Sequence, residues 1–304
     1  MNEHYPNTYR ALDENHTKGR TQIFDPSLAH FPNAFRLADA ATAHERLEWE
    51  IIRSELRSHL LQLISQSRWK DHLVLRGSVL LHAWFGKAAR EPQDLDWVFQ
   101  PDSVKLDDPD CEACFKELTD LVKANPRTQN ARIQVDRIAS DDIWTYERAQ
   151  GRRLIFPYEN AEGAGREIQM DIVWNETLPE APIRVGVPQR DGEPIEVWAA
   201  SPQLSLAWKW LWLATDMNAQ GKDLYDAVLL AENTTLPFAL LRQVFNSDEW
   251  YQKQEIGPDT FSELYVDWDN FKLEYPWIEG TEKQWLSRLI VALTPTWHEA
   301  KKTE

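Results

Sequence analysis

The junction at Gly77-Ser78 constrains this chain more than any other stretch, because a short apolar run, His72-Leu73-Val74-Leu75, ends there almost at once. The run reads as a buried strand. Val79 to Phe85 then reads as a helix, with Ser78 as a favourable N-cap residue and Gly86 closing it. Asp94-Leu95-Asp96-Trp97-Val98-Phe99 follows with strict alternation, the pattern of a second strand. Strand, Gly-Ser turn, helix and acidic strand therefore succeed one another within one short segment.

Around this segment the periodicity changes twice. Residues 1–37 are polar, contain Pro6 and Pro26, and read as a loosely attached lead-in. From about Ala38 to Ser67, Leu47, Ile51, Leu56, Leu60, Leu63 and Ile64 recur at helical spacing. Cys111 to Ala124 is a further helix. Arg132 to Ile138, Arg153 to Pro157 and Glu167 to Trp174 alternate as strands, and Glu193 to Val197 reads as a last strand at the domain edge. Beyond Pro202 helical spacing takes over in Leu204 to Leu213, Lys222 to Ala231, Pro237 to Phe245 and Trp285 to Leu293. The predicted organisation is an α+β domain over 38–200, a mixed β-sheet with flanking helices, followed by a helical C-terminal domain over 201–304.

Composition narrows the function classes. Lys and Arg number 33 against 49 Asp and Glu, a net charge of −16, which argues against a broad electropositive face for nucleic acid. The short basic clusters Arg68-Trp69-Lys70, Arg152-Arg153 and Arg184 to Arg190 read as solvated loop charge. Two cysteines exclude a disulfide scaffold, and no apolar run is long enough to span a bilayer. The opening residues lack the basic and apolar regions of a signal peptide, so a cytoplasmic protein is expected. Fifteen tryptophans, spread from Trp49 to Trp297, point to packing rather than to a platform for stacked bases.

Asp94 and Asp96 lie two apart on one strand and so project from one face. Their repulsion calls for a counter-charge, and Mg²⁺ favours one or two carboxylates completed by water and substrate phosphate. Asp171 sits in a second alternating strand, with Met170 and Ile172 pointing the other way. Three converging carboxylates suit a two-metal phosphoryl-transfer centre, in which the metals orient both the attacking and the leaving oxygens. Gly77 permits close approach of a phosphate to the backbone at a helix N-terminus, and Ser78 adds a hydroxyl. An Asp-x-Asp pair or a Gly-Ser turn taken singly is equally at home on an ordinary surface.

The order of these features resembles the nucleotidyltransferases of the DNA polymerase beta superfamily, whose signature is Gly-Ser, then Asp-x-Asp or Asp-x-Glu, then a third carboxylate on a later strand. Within it the chain resembles the AbiEii-type nucleotidyltransferases, toxins of toxin–antitoxin and phage-defence systems. Leu75-Arg76-Gly77-Ser78, Arg90, Asp94, Asp96, Asp171, Lys209 and Lys222-Asp223-Leu224-Tyr225-Asp226 carry the resemblance, over about residues 47 to 232. It implies Mg²⁺ or Mn²⁺ on Asp94, Asp96 and Asp171, with Gly77, Ser78 and Arg90 on the nucleotide. It further implies Lys209 at the triphosphate, Asp223 beside the nucleotide or acceptor, and a structural role for Asp226. Two positions depart from the family pattern: Pro92 replaces a customary Ser, and Thr215-Asp216-Met217-Asn218 lacks a customary Arg.

The implied activity is transfer of a nucleoside monophosphate from a nucleoside triphosphate to an acceptor hydroxyl, with release of pyrophosphate. An RNA such as the tRNA 3′ end is the implied acceptor, while protein and small-molecule acceptors stay open. A cognate antitoxin is the implied protein partner. The alternative is a catalytically silent nucleotide-binding module acting as a sensor or protein partner. Cys111-Glu112-Ala113-Cys114 has no second ligand pair and reads as one face of a helix. Neither a Walker-type loop nor a Gly-x-Gly-x-x-Gly fingerprint occurs. Lys209, among Trp208, Trp210 and Trp212, reads on residue type alone as equally the solvated side of a packed helix.

Overall fold

The structure, a computed structural model, describes residues 6–8, 21–26, 34–37, 43–145, 149–261 and 264–303. They form two compact units, one comprising residues up to Leu178 together with Pro182–Ala199, the other Pro179–Ala181 with Ala200–Glu304. The opening five residues, most of the expected lead-in and the start of the expected first helix lie outside the described residues. Within that lead-in, β1 (Gln22–Phe24) and β2 (Phe35–Leu37) pair antiparallel, and Ile23 is buried.

The first unit is built on an eight-stranded mixed sheet. Its strands are β3 (Leu73–Arg76), β4 (Asp94–Phe99), β5 (Ala131–Ile133), β6 (Ala139–Thr145), β7 (Ala149–Asn160), β8 (Gly165–Val173), β9 (Ile183–Val187) and β10 (Ile195–Ala199). Their order is β5-β7-β8-β4-β3-β10-β9, with β6 paired to the other half of β7. The central pair β4 and β8 runs parallel, whereas β4 runs antiparallel to β3 and β8 antiparallel to β7.

Side-chain alternation gives this sheet two chemically different faces. Leu95, Trp97, Met170 and Ile172 are fully buried on one face. Helices α1 (Ala43–Gln66) and α3 (Pro109–Ala124) cover it, Trp49 meeting Tyr158 and Phe115 meeting Trp174. The opposite face carries Asp94, Asp96, Gln169 and Asp171. In α1 the buried stripe is Trp49, Ile52, Arg53, Leu56, Arg57, Leu60, Leu61 and Ile64, so two arginines belong to the core-facing side and Leu47 is exposed. Hydrophobic spacing alone passes over long cationic side chains whose stems pack against apolar surface.

Several expectations change on this frame. The stretch Arg132 to Ile138 divides into the end of β5 and a 3₁₀ turn at Val135–Arg137, and β6 starts only after it, at Ala139. β10, the last strand, ends at Ala199 where the first unit ends, and within the sheet it lies between β3 and the edge strand β9. β9 carries little sequence signal because Ile-Arg-Val-Gly-Val is short, buried only at Val187 and flanked by prolines. Arg184 therefore belongs to a strand rather than a loop, with its guanidinium over the Trp198 ring.

The second unit contains α4 (Pro202–Thr215), α5 (Gly221–Asn233), α6 (Phe238–Phe245), α7 (Trp268–Glu274), α8 (Glu282–Ala292) and α9 (Thr294–Thr303), of which α7 and α9 lack a sequence signal. Ser201 caps α4 by accepting from the Leu204 amide at 3.0 Å, and Pro202 follows at the first helical position. Ten consecutive residues of α4, Leu204 to Leu213, are buried. A Cβ at Gly221 would overlap Phe271, so the absence of a side chain lets α7 approach α5.

Candidate active site

The strand β3 ends in the Gly-Ser turn, and Gly77 adopts φ 80 and ψ −156, a conformation essentially confined to glycine. Gly77 takes the N-cap position of α2 (Ser78–Phe85), with no side-chain cap, where Ser78 was the expected cap. Ser78 is instead the first helical residue. Its hydroxyl donates to Asp94 Oδ1 at 3.3 Å across the junction between β3 and β4. A Cβ on residue 77 would overlap Asp96 Oδ2, so the Asp96 carboxylate lies directly against the glycine. The turn and both carboxylates of β4 are thus brought together.

Asp171 is brought beside them. It is the register partner of Asp96 across the parallel pair β4 and β8, and two further residues complete the row, Arg76 opposite Asp96 and Arg153 opposite Asp171. Directly opposed residues share a face, so cation, carboxylate, carboxylate and cation line up across four strands. The two arginines behave differently. Arg76 is buried and pairs with Glu176 at 2.7 Å. Arg153 grips Asp171 with two donors, Nε to Oδ1 at 3.0 Å and Nη2 to Oδ2 at 2.9 Å. Gln169 Nε2 donates to the same Oδ2 at 3.0 Å.

The charge balance around the carboxylates is close. Burial alone would lower the Arg153 pKa, but the Asp171 carboxylate outweighs it and holds the guanidinium above its usual range. Arg57 reaches the link before β4 from α1, donating to Pro92 O at 2.6 Å and to Glu91 at 2.7 Å. Burial pushes its pKa down against the pull of Glu91, and Asp94 also acts on it. Arg90 is half-buried in the same link.

The residues expected from the second unit form their own buried cluster. Lys209 Nζ on α4 lies 2.6 Å from Asp223 Oδ1 and 3.0 Å from Asp226 Oδ2, both on α5. Their relative exposures are 3%, 1% and 0%, so all three charges are out of water. Lys209 also sits over the Trp212 ring.

Among the described residues no three His, Cys, Asp or Glu side chains group as a cage round a cation. Asp94 and Asp96, with the Ser78 hydroxyl beside them, present the hard oxygen donors that Mg²⁺ and Mn²⁺ prefer, so the pair fits such an ion. Arg153 and Arg57 are the residues that the sequence did not reveal. Arg152-Arg153, read as solvated loop charge, lies in β7, where Arg152 bonds Asp142 and Glu112 while Arg153 bonds Asp171. The one available signal was a basic pair inside an alternating segment, and register against Asp171 is invisible without the sheet. Cys111 and Cys114 are buried free thiols on α3.

A mixed sheet with an acidic Asp-x-Asp strand beside a Gly-Ser turn is the core of a nucleotidyltransferase fold. MenT4, a nucleotidyltransferase toxin from Mycobacterium tuberculosis H37Rv, shares the fold with a TM-score of 0.56 at 16% identity, over 81% of this chain and 82% of that one. The sequence profile of the nucleotidyl transferase AbiEii toxin family, type IV toxin–antitoxin systems, matches residues 59–275. The chain belongs to that family. No curated protein sequence matches it. No helix among the described residues is long and apolar enough to cross a membrane.

Proposed function

We propose that this protein is a metal-dependent nucleotidyltransferase acting as the toxin of a toxin–antitoxin pair in the cytoplasm. The observation that carries this is the meeting of Gly77, Ser78, Asp94 and Asp96 at one end of β3 and β4. Gly77 brings backbone close to a bound phosphate, and Ser78 offers a hydroxyl from the first turn of α2. Asp94 and Asp96 would hold Mg²⁺ or Mn²⁺, which when bound neutralises phosphate charge. Arg57 and Glu91 fix the link that delivers Asp94. Arg90 lies in that link as a further phosphate-binding residue. The family resemblance assigns Lys209 to the triphosphate and Asp223 beside it, and in this reading the ion pairs to Asp223 and Asp226 hold the ammonium in one place.

The reaction is attack of an acceptor hydroxyl on the α-phosphorus of a nucleoside triphosphate, with pyrophosphate leaving. The acceptor is an RNA hydroxyl, the tRNA 3′ end being the form that the family resemblance suggests. The decisive experiment incubates the protein with Mg²⁺, each α-labelled nucleoside triphosphate, and RNA or protein fractions. Label should pass to RNA, and Asp94→Ala and Asp96→Ala should abolish transfer. Nucleotide binding without transfer to any acceptor would instead support a silent nucleotide-binding module, a reading favoured by the engagement of Asp171 with Arg153.

A further inference from the structure

The carboxylate expected to complete a three-aspartate centre is already occupied by the protein itself. Arg153 closes on Asp171 with two parallel hydrogen bonds, and Gln169 takes a third position on Oδ2. Both side chains are mostly buried, at 22% exposure for Arg153 and 10% for Asp171. A fork-to-fork pair of this kind fixes the carboxylate in orientation as well as in charge. Three donors fill three of the four lone-pair sites of Asp171, so a cation would find at most one position on Oδ1, beside a positive guanidinium.

We propose that Arg153 is a positioning residue standing where a second cation would act, so that the centre is a one-ion site held by Asp94 and Asp96. This inference rests on the metal-dependent reading above and narrows it. Arg153 holds Asp171 as a fixed anionic wall beside Asp96, and Asp94 and Asp96 would hold the ion.

Titration of the full-length chain with Mn²⁺, followed by electron paramagnetic resonance of the free ion, tests this without any assay of turnover. The wild type should take one Mn²⁺ per chain. Asp171→Asn should change its affinity by less than about threefold, whereas Asp94→Asn should weaken it by at least about tenfold. Arg153→Gln should release Asp171 as a ligand, giving a second equivalent or at least about tenfold tighter binding. Adding Asp171→Asn to Arg153→Gln should remove that gain. Arg153→Lys keeps the charge but loses the fork, and serves if Arg153→Gln does not fold; it should give a smaller gain of the same sign. Weakening by Asp171→Asn in the Arg153-intact protein, equal to that from Asp94→Asn, would overturn the inference while leaving metal dependence standing. Two Mn²⁺ in the wild type, or no gain in either Arg153 variant, would also overturn it. A wild type that takes no Mn²⁺ overturns this inference, while label transfer with and without Mg²⁺ decides the metal-dependent reading separately.

Discussion

Asp96 and Asp171 are direct register partners on the parallel strands β4 and β8, yet their carboxylates have different company. Asp96 lies against the backbone of Gly77, while Asp171 is gripped by Arg153. The row flanks the two carboxylates with Arg76 opposite Asp96 and Arg153 opposite Asp171. Four consequences can be measured.

Asp94→Asn and Asp96→Asn remove negative charge from a crowded row. Nucleotidyl transfer should fall by at least about a hundredfold in either variant. The melting temperature should stay level or rise, since like-charge repulsion is relieved. Thermal melts read beside label transfer separate the two effects; a large loss of stability would mean that the carboxylates hold the fold rather than the substrate.

Gly77→Ala should damage both properties. Its φ of 80 with ψ of −156 is strained for alanine, and the added Cβ meets the Asp96 carboxylate. The expected destabilisation is about 1–3 kcal/mol by chemical denaturation, accompanied by loss of transfer.

Lys209→Met should unfold the second unit readily. It strips the cation from two carboxylates that are buried at 1% and 0% exposure. Breaking such a cluster costs about 3–5 kcal/mol. Adding Asp223→Asn and Asp226→Asn to Lys209→Met should restore much of that, as urea midpoints would reveal. A midpoint unchanged by Lys209→Met would place the ammonium in solvent.

Cys111 and Cys114 should be silent to thiol reagents in the native protein and react on unfolding. Burial pushes the Cys111 thiol up to about 12 and the Cys114 thiol up as well, from an ordinary 9.0. The folded state therefore keeps protons that the unfolded chain releases above pH 9. Proton loss favours the state that loses it, so this part of the stability is intact below pH 9 and declines as pH rises toward about 12. Cys111→Ala with Cys114→Ala should flatten that decline.

Much of the first unit was legible along the chain. The alternation of β4, the apolar run of β3 and the glycine at 77 each follow from residues close in sequence, because turn geometry and side-chain period are local properties. The segment that hid β9 was harder, since exposure and flanking prolines erase the apolar pattern of an edge strand. Arg57 was hidden inside a helix stripe whose hydrophobic members alone were counted. The twin arginines at 152 and 153 show the difference most clearly: they are neighbours in sequence, project to opposite faces of β7, and take different partners.

What residue order determined was the chemistry on offer: a glycine turn, two carboxylates on one strand face, a third carboxylate farther on, and a change to helical spacing after residue 200. What only the folded sheet decided was which charges meet. Register between strands is set by distant segments packing on a shared core, and a shift of one residue would turn Arg153 away from Asp171 to the other face. Pairing of Lys209 with both Asp223 and Asp226 was likewise decided by helix packing, because burial and opposite charge act across space rather than along the chain.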